Sequence, residues 1–207
     1  MTKKIIAVIA LLAAGASGAF AQNSGTQVPN PADTEGSGLL GKRYAALGFV
    51  YQDINHSDID IFGAGAAVNV PVTPNIDVSA VLTHSWVEAH SDINAEALEV
   101  SSTYYFKQGQ FKPFGTVSLG YSWRDLGATS DDTGTWGVSG GVEYSLNATD
   151  SFDVSIGYDD DFNSGAGVWD GTIAANHWFT KAIAVRFSAS LIEEGHRQFA
   201  LAGIWRF

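Results

Sequence analysis

The chain has 207 residues, with 22 acidic and 11 basic side chains, a net charge of −11 and no cysteine. The acidic balance excludes a nucleic-acid surface, because phosphate binding needs clustered Lys and Arg. The lack of cysteine excludes disulfides, thiolate metal sites, thiol catalysis and the acylated cysteine of a bacterial lipoprotein. The length allows one ordinary domain or one barrel of about 200 residues.

The first 21 residues carry the three parts of a secretory signal peptide. Lys3 and Lys4 precede an apolar run from residue 5 to residue 14, which is too short to span a bilayer. Residues 19–21, Ala-Phe-Ala, form a small-x-small cleavage site. Residues 22–41 are rich in Asn, Ser, Gly, Thr and Pro and have no apolar period, which predicts a flexible leader. The chain is therefore expected to be exported.

From Lys42 to Phe207 the sequence alternates between apolar residues and small or polar ones, which is the period of a β-strand. In the first segment the apolar residues are Ala45, Leu47, Phe49 and Tyr51. Ten such segments predict ten antiparallel strands, or eight if one hairpin belongs to a loop. The seventh and eighth segments have the shortest apolar bands.

Alternation by itself does not say which face of a sheet meets water. Aromatic residues at the strand ends favour a membrane, because they form two girdles that flank an aliphatic band. One girdle contains Tyr51, Trp86, Trp123, Trp136, Tyr158 and Trp169, and the other contains Tyr44, Tyr104, Phe106, Phe111, Phe152, Phe179 and Phe207. The apolar face is therefore predicted to point outward, towards lipid.

The connections also favour a membrane barrel, because tight turns alternate with longer, acidic segments. The turns lie at 72–75, 107–110, 147–150 and 180–182, and the longer segments include 126–134 and 160–167. An even number of strands places both ends of the barrel chain on the side of the tight turns. Residues 42–207 are therefore predicted to form an all-β, antiparallel transmembrane β-barrel with short periplasmic turns and modest acidic extracellular loops.

The C-terminal strand ends in an alternating pattern: Phe199, Leu201, Gly203, Trp205 and Phe207. This pattern resembles the signal that bacterial outer-membrane barrels present to their assembly machinery. With the signal peptide and the mature size, the chain resembles the small outer-membrane barrels of the opacity-protein, OmpX and OmpA-barrel type. The resemblance implies the fold, an outer-membrane location and recognition by that machinery, but not an activity. Most members of those families have eight strands.

Ten charged residues are predicted to face the lumen: Asp77, Glu99, Lys112, Arg124, Glu143, Asp153, Asp159, Asp170, Arg186 and Arg206. A barrel of this size is mostly filled by its own side chains, and an unpaired buried charge costs several kcal/mol. A paired network is therefore expected, with Glu99, Arg124, Glu143 and Arg186 at its centre. The alternative is that these charges line a narrow passage for solutes.

Three His-Ser pairs, at residues 56–57, 84–85 and 90–91, raise the possibility of an enzyme that modifies outer-membrane lipid. Neighbouring residues in a strand point to opposite faces, so such a pair does not readily share a proton. Neither catalytic residues nor a cofactor or metal site is predicted. The acidic residues of the longer segments are expected to form a solvated rim, with cation bridges to lipopolysaccharide as the alternative.

These observations together predict an integral protein of the bacterial outer membrane with a structural or surface-interaction role and no catalysis. The expected partners are outer-membrane lipid, lipopolysaccharide and the barrel-assembly machinery, and a monomer is expected. Nucleic acid is excluded as a partner. A narrow, porin-like channel is the first alternative, and a lipid-modifying enzyme is the second.

Overall fold

The structure, a computed structural model, describes residues 36–57, 59–88, 90–107, 109–163 and 167–207, without the side chains of 90–92. The predicted signal peptide and the leader as far as residue 35 lie outside the described residues. Among the described residues, no helix is long and apolar enough to cross a membrane.

Ten antiparallel strands form one closed barrel, in which each strand pairs with its neighbours in the chain. The strands are β1 (Tyr44–Asp53), β2 (Asp60–Thr73), β3 (Ile76–Val87), β4 (His90–Tyr105), β5 (Phe111–Leu126), β6 (Ser130–Ser145), β7 (Asp150–Asp161), β8 (Val168–Trp178), β9 (Ile183–Ile192) and β10 (His196–Arg206). A single 3-10 turn, Glu193–Gly195, joins β9 to β10. The count of ten is confirmed, and the seventh and eighth segments are both strands of the barrel.

The first and last strands close the barrel. They pair without interruption from Tyr44 opposite Arg206 to Asp53 opposite Arg197. Closure removes the free edges that would otherwise leave backbone donors and acceptors unpaired, and this is a requirement inside a bilayer.

The two ends of the barrel differ in what they carry. We call the end where β1 begins and β10 ends the terminal end; it also carries the connections at 74–75, 106–110, 146–149 and 179–182. The opposite end is the loop end. The prediction of a long loop over 126–134 is wrong, because β6 already begins at Ser130. Asp125 pairs with Ser130 across a turn in which Gly127 has a positive φ of 77°, so hydrogen bonding continues beyond the apolar band.

Large apolar side chains cover the outer face of every strand, as the alternation and the aromatic girdles together predicted. Leu119 is 63% exposed and Leu47 is 72% exposed. One exposed apolar residue from each strand, in chain order, gives Leu47, Val68, Leu82, Leu98, Leu119, Val138, Ile156, Ile173, Phe187 and Leu201. A continuous apolar surface that encircles a barrel is typical of a protein that contacts lipid.

Aromatic side chains contact one another near both ends of the outer face. At the loop end, Trp136 packs against Tyr158 with ring centroids 5.7 Å apart, and Tyr158 packs against Trp169. At the terminal end, Tyr144 lies between Phe111 and Phe152. The girdle assignment of Tyr44 is wrong, because this side chain is buried inside the barrel. Its position in β1 has the parity of Ala46 and Val50, which face the lumen.

A candidate site in the barrel lumen

The ten charged residues predicted to face inward are buried or half-buried in the structure. Their places in the strands separate them, however, so the four proposed central residues lie at three different levels along the lumen. Glu143 and Arg186 belong to two ion pairs near the terminal end, Glu99 lies near the middle, and Arg124 lies near the loop end. Parity along a strand determines the face of a residue, whereas strand register determines its partners.

Glu143 of β6 is the carboxylate at the centre of the first polar cluster at the terminal end, and it accepts hydrogen bonds from Lys112, Leu39 and Leu40. Its side chain is fully buried, and its Oε1 lies 3.0 Å from Nζ of Lys112 on the neighbouring strand β5. Its Oε2 accepts hydrogen bonds from the backbone N–H groups of Leu39 and Leu40, at 2.5 and 2.9 Å. A buried carboxylate with a cation and two amide donors has its charge and lone pairs satisfied.

Arg186 of β9 forms the second pair. Its Nη1 and Nη2 donate to Oδ2 and Oδ1 of Asp153 on β7, at 2.8 and 3.1 Å. The same Nη1 also donates to Oδ1 of Asn176 on β8, the strand between them, at 3.1 Å. The bidentate geometry and the full burial of Asp153 make this a completely formed, dehydrated ion pair.

Arg124 of β5 is held more loosely, near the loop end. It lies 3.9 Å from Asp131 and 4.0 Å from Asp161, and Nε lies 3.4 Å from Oγ of Ser122. More than half of the Asp131 side chain is exposed, so water solvates that carboxylate. The sequence predicted Arg124 as a central member of the network, but the structure places this buried side chain near the loop end, between the half-exposed Asp131 and the largely buried Asp161.

Replacing Arg124 with Met is therefore expected to lower the free energy of unfolding by about 1–2 kcal/mol, because both carboxylates lie 3.9 Å or more from the guanidinium group and only the largely buried Asp161 loses a cation that water does not replace. Urea denaturation of the refolded barrel measures the change, with the lumen variant Ser118→Ala as the control. A loss of several kcal/mol would mean that Arg124 is the partner of a fully buried acid.

The middle of the lumen is acidic. Asp159 of β7 lies within electrostatic range of Glu99 and Asp170. A Cβ atom at Gly137 would overlap the Asp159 carboxylate, and one at Gly157 would overlap the Asp170 carboxylate. The two glycines therefore provide the space into which these carboxylates extend.

Residues 36–41, which the sequence analysis assigned to the flexible leader, lie inside the lumen at the terminal end. Ser37, Gly38, Leu39 and Leu40 are buried. The structure thus departs from the expected boundary at residue 42, because the closed barrel offers apolar and hydrogen-bonding partners that a free leader lacks. Leu39-Leu40, the one apolar pair in a polar leader, is the signal in the sequence that could have indicated this.

Lys42, Asn69 and Trp178, which no sequence pattern indicated, add further polar contacts at the terminal end of the lumen. Lys42 Nζ lies 5.2 Å from the ring centroid of Trp178, whose indole N–H donates to the carbonyl of Ser37 at 2.5 Å. Asn69 donates to the carbonyl of Lys42 at 2.8 Å and to Asp77 at 3.0 Å. Only strand register brings these polar groups together, since they come from distant parts of the chain.

The His-Ser pairs show no catalytic arrangement in the described residues. His84 lies on the outer face, 3.5 Å from Glu96, whereas Ser85 faces the lumen and donates to the carbonyl of Ala95. The side chains of His90 and Ser91 lie outside the described part of the chain. Within that part, no group of three or more His, Asp or Glu residues could hold a metal ion.

The C-terminal pattern lies on the outer face of β10. Phe199, Leu201, Trp205 and Phe207 are exposed there, and Gly203 shares their parity. The strand pairs with both β1 and β9, so it is the strand that completes the barrel. Its role as an assembly signal stays a prediction.

Known proteins resemble this chain in fold, whereas its sequence matches neither a family model nor a curated protein. The COG4313 outer-membrane channel from Pseudomonas putida F1 aligns with a TM-score of 0.50 and 10% identity, over 86% of this chain and 100% of that one. The NanC porin aligns with a TM-score of 0.48 and 10% identity, over 79% and 99% of the two chains.

The KdgM porin aligns with a TM-score of 0.46 and 7% identity, over 78% of this chain and 99% of that one. Identities this low show a shared fold alone. The resemblance to the opacity-protein, OmpX and OmpA-barrel families stays a hypothesis, since the barrel has ten strands where most of their members have eight. The chain has the closed antiparallel fold of the outer-membrane β-barrels.

Proposed function

We propose that this protein is an integral barrel of the bacterial outer membrane with a structural or surface-interaction role, and that its lumen is closed at rest. One observation carries the proposal: residues 36–41 fill the terminal end of the lumen and are bonded to the buried Lys112–Glu143 pair. A lumen filled by its own chain does not offer a continuous path for solutes.

The outer surface supports the membrane location. Each strand exposes apolar residues in its middle, and charged or polar residues border this band at both ends. Asp53, Glu96 and Asp125 lie at the loop end, and Arg43 and Lys181 lie at the terminal end. A transmembrane β-strand needs about 9–11 residues to cross the hydrocarbon layer, and the apolar band between these polar residues is of that length.

We further propose that the terminal end faces the periplasm, because the predicted signal peptide and leader precede β1 there. The loop end would then face lipopolysaccharide and the cell exterior. Assembly through the C-terminal strand by the barrel-assembly machinery, and function as a monomer, belong to the same proposal. The assignment as non-catalytic rests on the lumen ion pairs, which supply a structural use for the buried charges.

The second candidate is a narrow channel for small solutes. The acidic middle of the lumen favours it, because Glu99, Asp159 and Asp170 face the same space there. Acidic side chains that line a pore attract cations. The COG4313 protein is named as a channel, and the two porins are named as porins, although at this identity their names describe those proteins only.

We expect purified, refolded wild-type protein to show no stable conductance steps in a planar lipid bilayer, because residues 36–41 close the lumen. A heat-dependent shift in gel mobility serves as the control for folding. Reproducible single-channel steps from the wild-type barrel would reject the closed state and favour the channel.

An unchanged pattern of lipopolysaccharide acylation in expressing cells is expected if the barrel does not modify lipid.

A further inference from the structure

The terminal end of the lumen has the features of a binding site, and its occupant is part of the same chain. We propose that this end is a peptide-binding cradle and that residues 36–41 are its tethered ligand, which acts as a removable plug. The ligand class is a short, bent peptide in which small residues precede two leucines. The proposal builds on the closed barrel described above, since it names what closes the lumen and how the lumen opens.

Backbone recognition is the first argument, because the cradle binds the segment mainly through its peptide groups. Glu143 accepts from the N–H groups of Leu39 and Leu40. Lys112 Nζ donates to the carbonyl of Leu40 at 2.8 Å, and Trp178 donates to the carbonyl of Ser37. Lys42, which directly follows the segment, donates from Nζ to the carbonyls of residues 36 and 38.

Two apolar contacts give the cradle a preference for large apolar side chains at positions 39 and 40. Leu39 packs in a cluster with Tyr44, Trp178 and Ile204 of the barrel interior. Leu40 packs with Tyr105 and Phe114 on the other side. Both leucines are almost completely buried, so each contributes apolar area that water would otherwise contact.

Two glycines show that the fit is specific. A Cβ atom at Gly38 would overlap the Glu143 carboxylate, and one at Gly36 would overlap the hydroxyl of Ser145. The fit is strictest at Gly38, because the Glu143 carboxylate that a Cβ atom would meet there is held in place by Lys112 and by the two backbone N–H groups. A segment that only filled space would not require two positions without a Cβ atom.

The segment can leave without breaking the barrel, and this makes it a plug and not a structural strand. It contributes no strand to the sheet, which begins at Tyr44 and pairs fully with β2 and β10. Lys112 and Glu143 contact each other directly at 3.0 Å, so departure of the segment would leave this ion pair in place, and Lys42 would exchange its two segment carbonyls for water in the emptied lumen. A released state would therefore keep the Lys112–Glu143 pair intact, which is a condition for a switch between two states.

The first test uses the full-length variant Gly38→Val in a planar bilayer. The added side chain collides with Glu143, so the segment cannot seat, and conductance steps absent from the wild type are expected. A free peptide with the sequence of residues 36–41, added at the terminal-end side, should return the current to the closed level. Gly171→Val is the matched control, because a Cβ atom at Gly171 meets open space on the outer face.

Each outcome of this test decides the proposal. A closed Gly38→Val barrel, or an open one that the free peptide does not block, would overturn it. The same peptide carrying Gly38→Val should not block. A wild-type barrel that already conducts would instead reject the closed state itself, so failure of the proposed function and failure of the plug are distinguishable.

A second test avoids the glycine variant. The chain has no cysteine, so Ser37→Cys introduces a unique thiol into the seated segment. A bulky maleimide should label it at least about tenfold more slowly than the exposed control Ser57→Cys, because reaction requires the segment to leave. Excess free peptide should raise the labelling rate of Ser37→Cys by competing for the cradle. A rate that does not respond to the peptide would contradict reversible binding.

Discussion

Replacing Arg186 with Met is expected to lower the free energy of unfolding by about 3–5 kcal/mol, because Asp153 loses its cation in a place that water does not reach. Asp153 is fully buried and accepts both guanidinium bonds of Arg186. Asn176 loses a donor as well. Urea denaturation of the barrel in lipid vesicles measures the loss.

The matched control for this prediction is Arg197→Met, which removes an exposed arginine at the loop end and should change stability by no more than about 0.5 kcal/mol. The double variant Arg186→Met/Asp153→Ala should be more stable than Arg186→Met alone, since it removes the stranded carboxylate. Equal losses from Arg186→Met and Arg197→Met would mean that water already solvates the lumen pair, as the channel alternative requires.

Replacing Leu119 with Arg is expected to cost about 2–4 kcal/mol of unfolding free energy in a bilayer, because the charge would lie in the hydrocarbon layer. Leu119 is near the middle of β5 on the outer face and is well exposed there. Unfolding in vesicles gives the cost, and the same comparison in detergent micelles should give a smaller one.

Leu119→Ala is the control, because it removes the same apolar side chain without adding a charge. The difference between the two variants isolates the cost of the guanidinium group. Equal stabilities would reject the assignment of the outer face to lipid, and so would a wild-type protein that stays soluble without detergent.

The outer face could be predicted because its signal is local. Side chains alternate along every strand, so Leu47 and Phe49 of β1 must share a face whatever the rest of the chain does. The aromatic residues then identified that face as the outer one. Tyr44 is the exception: it stands at a strand end like a girdle residue, but its parity places it in the lumen.

The partners of the lumen charges could not be predicted because they depend on register and strand tilt. Glu143 meets Lys112 on the neighbouring strand, but Arg186 reaches Asp153 two strands away. No spacing in the sequence distinguishes these pairs from Glu99 with Arg124, which parity allowed equally. A shift of the register would exchange partners without changing any local pattern.

The sequence by itself indicated the alternating segments of an antiparallel barrel, with eight or ten strands, and the charged residues that share the lumen face, because these follow from a period of two residues. Only the tertiary structure decided where residues 36–41 lie. Leu39 is 104 positions from Glu143 in the chain, and no local period connects the two residues. Closure of the barrel creates the enclosed carboxylate and the apolar contacts that hold the segment, so its place exists only once the sheet has closed.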